Sequence, residues 1–120
     1  MIGPRWRVRL GAVAELDFAN ILRWTTDNFG ARQARVYRDT LLRAIGELAH
    51  GPDVAGSKAR DEIMPGLRTL HVARGGRRGR HLLVYRVVAG RIEIGRILHD
   101  QMELRRHLPP PIDEDDDRSA

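Results

Sequence analysis

The chain has 120 residues, of which 42% are hydrophobic and 31% charged, and its formal net charge is +5. This is enough apolar material for one modest core in a single domain, and no apolar run approaches the roughly 20 residues that span a bilayer, so no membrane association is expected. There is no cysteine, which excludes disulfides and thiolate metal sites, and the N-terminus lacks a signal-peptide pattern, so the expected setting is cytoplasmic.

Residues 5–10, RWRVRL, alternate strictly. Trp6, Val8 and Leu10 share one face and Arg5, Arg7 and Arg9 the other, the pattern of a half-buried strand. Residues 12–29 read as a helix with Ala14, Phe18, Ile21, Leu22 and Thr25 on one stripe, ended by Gly30 in a left-handed conformation. A second helix is expected over 31–49, where Ala34, Tyr37, Leu41, Ile45 and Leu48 recur at i, i+3/i+4 spacing. Two amphipathic helices on a short link form an antiparallel pair whose stripes need a surface to cover.

Residues 50–66 are punctuated by Gly51-Pro52, Gly56 and Pro65-Gly66 and read as a loop. Residues 67–73 are expected as a strand. The run RGGRRGR at 74–80 reads as a flexible hairpin loop or as a basic contact. Two apolar runs, 81–88 and 91–98, then flank Ala89-Gly90, the signal for a β-hairpin. Both faces of these runs are largely apolar, which suits central strands covered on both sides. Arg86 and Arg96 interrupt them and must be paired or reach water. Residues 101–108 are expected as a short helix, and Pro109-Pro110-Pro111 ends regular structure.

The fold class that follows is α+β: a small, mostly antiparallel sheet packed on an N-terminal helical hairpin, in the order β-α-α-β-β-β with a short C-terminal helix. The domain spans 1–108. Residues 109–120, with five acids (Asp113, Glu114, Asp115, Asp116, Asp117) and one base (Arg118), are expected as a disordered acidic tail. Without that tail the body is more basic still. Such a body suits a polyanion or an acidic protein partner, and equally no partner. His50, His71, His81, His99 and His107 show no metal-ligand spacing, so no metal or other cofactor is expected.

Several stretches in order carry a family resemblance: RWRVRL; Ala14-Glu15-Leu16-Asp17-Phe18 with Ile21 and Trp24; Gly30 and Ala34 to Tyr37; Pro65-Gly66-Leu67-Arg68; His81-Leu82-Leu83-Val84-Tyr85-Arg86-Val87; and Ile92-Glu93-Ile94-Gly95-Arg96-Ile97-Leu98-His99, closing with Met102-Glu103 and His107-Leu108. Over about residues 5–108 the chain resembles the RelE/ParE superfamily of small bacterial toxins, in its ParE-like or plasmid stabilisation branch. The resemblance implies the toxin of a type II toxin–antitoxin system, neutralised by a cognate antitoxin protein. It implies DNA gyrase as the target, or, as in RelE-like relatives, messenger RNA cleaved on the ribosome.

A metal-free ribonuclease needs a general acid and base and cations for the phosphorane charge. The candidates here are His99, Arg96 and Arg86. RelE-like relatives place an arginine before the Leu-Val-Tyr run, where this chain has Leu82, and a terminal tyrosine that this chain lacks. Many ParE-like toxins carry an arginine just after the histidine, where this chain has Asp100 and Gln101. A gyrase poison needs a binding surface instead. Arg68, Arg86, Arg96, His99, Arg105 and Arg106 are the candidate target contacts, and Leu16, Trp24 and Leu41 the candidate exposed contacts for the antitoxin.

Overall fold

The computed structural model describes residues 5–110. Strand β1 is Val8–Leu10, helix α1 Ala12–Phe29, and helix α2 Ala31–Glu47, which tightens into one 3₁₀ turn, Leu48–His50. Then come β2 (Lys58–Ala59), β3 (Arg68–His71), β4 (His81–Val88), β5 (Arg91–His99) and a last 3₁₀ turn, Leu104–Arg106. The five strands form one sheet in the order β1-β5-β4-β3-β2, with β1 parallel to β5 and the other pairs antiparallel. This is the expected α+β architecture.

The differences lie at the edges. Only Val8–Leu10 of the alternating run has ladder partners, at Ile92, Glu93 and Ile94. The loop after α2 contains the two-residue strand β2, too short to have a pattern of its own. The C-terminal helix expected over 101–108 is a single turn. The acidic tail lies, from residue 111 onward, outside the described residues.

Each face of the sheet has its own core. On the helix side, Ala14, Leu41, Ala44 and Leu48 pack on Leu70, Leu83, Tyr85, Ile92, Ile94 and Ile97. On the other side, Leu67, Val84 and Leu98 are covered by Ile63, Met64, Leu104 and Leu108. The near-continuous apolar composition of β4 and β5 follows from this double cover. Leu41 is completely buried, which corrects its assignment as an exposed antitoxin contact. It lies on the same α2 stripe as Ala34 and Ala44, and that stripe faces the sheet.

Two backbone features set the geometry. Gly30 alone joins the helices, closing α1 through its N–H to Thr26 O and opening α2 through its carbonyl to Ala34 N–H. It does so at φ 92 and ψ 165, beyond the expected left-handed well and in a region essentially restricted to glycine. A single linking residue must leave one helix and start the next, and the extended ψ achieves this. In the β4–β5 turn both Ala89 (φ 51) and Gly90 (φ 76) have positive φ, the pairing that a two-residue hairpin needs to match the strand twist.

Ala89 carries the steric cost of a Cβ in the left-handed region. Ala89→Gly is expected to raise unfolding stability by about 0.5–1 kcal/mol, read from the urea midpoint. Ala89→Val is expected to lower it.

Candidate functional site

The site begins at an open sheet edge. Beyond Ile94, β5 has no strand beside it on the β1 side among the described residues. Asp17 of α1 closes that edge. Its carboxylate accepts the Ile97 N–H at 2.9 Å and takes the Arg96 guanidinium on both oxygens, at 2.9 and 3.2 Å. Arg96 also lies 3.5 Å from the His107 carbonyl. The pair is mostly buried, with side-chain exposures of 22% and 15%, so each charge depends on the other.

This clasp ties α1 to β5, and beside it a groove of about 990 Å³ lies between the helical hairpin and the sheet. Ile21, Trp24, Thr25 and Phe29 line one wall, Ile97, Leu98, His99 and Met102 the other, and Arg77, Arg78 and Arg80 stand at the rim. Trp24 and Phe29 remain 59% and 64% exposed and pack edge to face, with ring centroids 5.7 Å apart. Part of the basic loop is anchored: Arg74 pairs with Glu47, and Arg77 Nη1 reaches Thr40 Oγ1 at 3.4 Å.

A histidine cluster closes the groove's inner end. The strand register places His81 opposite His99, with their rings 5.5 Å apart. The Tyr37 hydroxyl accepts the Arg80 N–H at 3.1 Å and lies 2.6 Å from His81 Nδ1. The hydroxyl oxygen thus holds the Arg80 backbone and the His81 ring together. His99 and His71 likewise accept backbone N–H groups on Nδ1, from Gln101 at 3.2 Å and Ala73 at 3.0 Å. His71 Nε2 then donates to Asp100 Oδ2 at 3.0 Å.

Burial, and then the neighbouring His99, lower the His81 pKa to about 4. Burial raises that of the Tyr37 hydroxyl. The hydrogen bond from His71 holds the Asp100 carboxyl below its ordinary range. Asp100 is the anion at the centre of this cluster: it takes His71 Nε2 and lies 3.4 Å from Arg80 Nε, while His99, whose Nδ1 accepts the Gln101 N–H, keeps Nε2 for another partner. Among the described residues no group of three or more histidines and carboxylates is placed to hold a metal ion.

The residues singled out from sequence separate into distinct places. His99 and Arg96 line the groove, as does Trp24. Leu16 is 62% exposed but lies outside the groove lining. The Arg86 guanidinium points to the other side of the sheet, to Met64 Sδ at 3.5 Å and the Pro110 carbonyl at 3.3 Å. The set His99, Arg96 and Arg86 is therefore not assembled around one point. Arg68 is bound to the Pro52 carbonyl and Ser57 Oγ, at 2.9 and 2.8 Å. Arg105 reaches the Glu62 carbonyl, and Arg106 pairs with Glu103 on the surface. Sequence reasoning passed over Tyr37, His71, His81 and Phe29 as site residues. Tyr37 sits on the apolar stripe of α2, and the histidines meet only through the register of β3, β4 and β5.

A helical hairpin is thus laid over a small mixed sheet, with an apolar groove and a basic rim between them. The sequence model described as the ParE toxin of type II toxin-antitoxin system, parDE, matches residues 8–104. The chain belongs to this family of toxins. It is 36% identical over 103 residues to Toxin ParE1 of Mycobacterium tuberculosis, in both strain CDC 1551 / Oshkosh and strain ATCC 25618 / H37Rv, a match covering 85% of this chain and 97% of that relative. In fold it is similar to a solved chain from the chromosomal ParDE TA system of P. aeruginosa, with a TM-score of 0.67 and 18% identity over 81% of this chain and 98% of that one.

Two measurements check the site. His81 stays neutral in the folded protein down to a pH of about 4, whereas the unfolded chain takes up that proton near pH 6.5. Its contribution is complete above pH 6.5 and is lost as the pH falls toward 4. His81→Phe is expected to flatten the decline in urea stability between pH 7 and pH 5 by about 1 kcal/mol, allowing for partial exposure. Asp17→Ala, which strands the Arg96 charge and frees the edge N–H, is expected to cost about 3 kcal/mol, read by the same denaturation.

Proposed function

We propose that this toxin arrests growth by binding DNA gyrase and that a cognate antitoxin neutralises it by laying an apolar segment into the groove. The observation that carries the reading is the exposed Trp24–Phe29 pair at the mouth of an apolar groove. Large aromatic side chains left in solvent beside arginines are the usual anchors of a protein interface. The gyrase contact is assigned to His99 and the exposed rim arginines Arg78 and Arg80, the latter with 59% of its side chain in solvent even as it meets Asp100. Arg68 and Arg96 are engaged in internal bonds, and Arg86 lies on the opposite face. Antitoxin and gyrase then compete for adjoining surface, and neutralisation is exclusion.

The second reading is a ribosome-dependent messenger-RNA endonuclease. It is favoured by one observation, the facing His81 and His99 rings beside Arg80 at the inner end of the groove. Such a set could hold a phosphodiester. The cluster that this reading needs is Tyr37, His81 and His99, since Arg86 cannot join it.

Purified gyrase separates the two. Full-length toxin is expected to inhibit supercoiling and to leave in-vitro translation free of primer-extension stops. The reverse result would establish the nuclease, and silence in both assays with tight antitoxin binding would mark a partner-binding member without toxicity. Trp24→Ala is expected to weaken antitoxin binding at least about 30-fold, an anchor-sized loss, measured by calorimetry, with an unchanged melting temperature because the side chain is largely in solvent.

A further inference from the structure

The sheet face turned away from the helices is only partly apolar. The segments around 60–67 and 104–109 pack on its Leu67, Val84 and Leu98. Toward the hairpin turn the same face changes character. The register aligns Arg86 of β4 with Glu93 of β5, and Glu93 with Arg9 of β1. Opposite partners share a face, so these three side chains form one row across three strands. Arg91, two residues before Glu93, lies on that face in the next row, and Arg7, whose carbonyl accepts the Ile92 N–H, flanks it. Among the described residues the carboxylate in this row is Glu93, which lies 3.7 Å from Arg9 Nε and 3.4 Å from Arg91 Nε and is 8% exposed. The Arg9 side chain is 51% exposed. Among the described residues four guanidinium groups thus gather around one buried carboxylate.

The described chain arrives at this strip. Pro109 is buried against Gly95, so closely that a Cβ on Gly95 would stand 2.3 Å from the Pro109 ring. Gly95 is the extra residue where the register steps from Val84↔Arg96 to Tyr85↔Ile94, and its lack of a side chain is what lets the segment lie on the sheet. Arg86 Nη2 then meets the Pro110 carbonyl at 3.3 Å. The next ten residues contain Asp113, Glu114, Asp115, Asp116 and Asp117. Neighbouring strands are about 4.8 Å apart, so Arg9 is roughly 10 Å from the row position of Arg86. Asp113 follows Pro110 by three positions in the sequence, and three residues can span at most about 10 Å. The acidic run thus starts within reach of the far side of the strip.

We infer that the acidic segment 113–117 docks on the Arg7–Arg9–Arg86–Arg91 strip of its own chain and screens this face from nucleic-acid phosphates. Pro110 fixes the segment's start, so the association is intramolecular and has a high effective concentration. The carboxylates add to the partial neutralisation that Glu93 provides. The contact is electrostatic and weakens with salt. The face that remains free for partners is then the groove, on the opposite side of the sheet.

The chain has no cysteine, so Ser119→Cys gives a single site for a nitroxide label on the full-length protein. In low salt the label is expected to broaden the amide resonances of Arg7, Arg9, Arg86 and Arg91 well beyond those of α2, with the contrast lost in 1 M salt. The same labelled chain with the five acids changed to Asn or Gln is expected to lose the contrast and to bind duplex DNA at least tenfold more tightly in low salt. Its dependence on salt should be steeper, as more cations meet phosphates. Equal broadening in the two chains, or equal DNA affinity, would overturn the proposal. The amide spectrum of the α2 core identifies any variant that has simply failed to fold.

Discussion

Asp17 is the residue through which the helices and the sheet hold one another. A sheet edge exposes backbone groups that need partners, and proteins cover such edges with strands, loops or charges. Here β1 is long enough to pair with Ile92 to Ile94 and no further. One carboxylate on the first turns of α1 takes over from the missing strand by binding both the Ile97 N–H and the Arg96 guanidinium. The same clasp reaches the C-terminal segment through the His107 carbonyl. A single side chain therefore joins α1, the end of β5 and the C-terminal segment beside the groove.

The groove combines two kinds of chemistry. Its outer part is apolar and aromatic, and its inner end carries the His81 and His99 rings, positioned by Tyr37 and by the Gln101 N–H. A backbone N–H given to one ring nitrogen, as Gln101 gives to His99, leaves the other nitrogen to meet a partner. Membership of the ParE family agrees with a surface built to hold another molecule. The division of Arg86 from His99 by the thickness of the sheet removes the nuclease arrangement that strand positions alone suggested.

How much of this could be read from the sequence follows from the range of each signal. Helices α1 and α2, the hairpin of β4 and β5 and its turn come from periodicity and from Ala89-Gly90, which act over a few residues. The parallel pairing of β1 with β5 and the clasp between Asp17 and Arg96 join distant positions, and no local pattern announces them. Leu41 shows how a stripe can mislead: it was both a stripe residue and an exposed candidate, and the tight packing of α2 on the sheet decided for the core. Tyr37 erred the other way, because an aromatic residue on the same stripe reads as core until its hydroxyl is seen to meet His81. The histidines were individually unremarkable, and only the register gives them neighbours.

The strand order has a consequence for biosynthesis. Among the described residues the first strand made, β1, rests against the last, β5, so a ribosome must deliver the chain through β5 before the sheet can close. Until then the helical hairpin can form from local contacts, but its buried stripe has only a partial floor. Folds that depend on joining distant segments close slowly. A toxin organised in this way stays unfinished while its messenger is being read, and its active surface comes into being only after the final strand has left the exit tunnel.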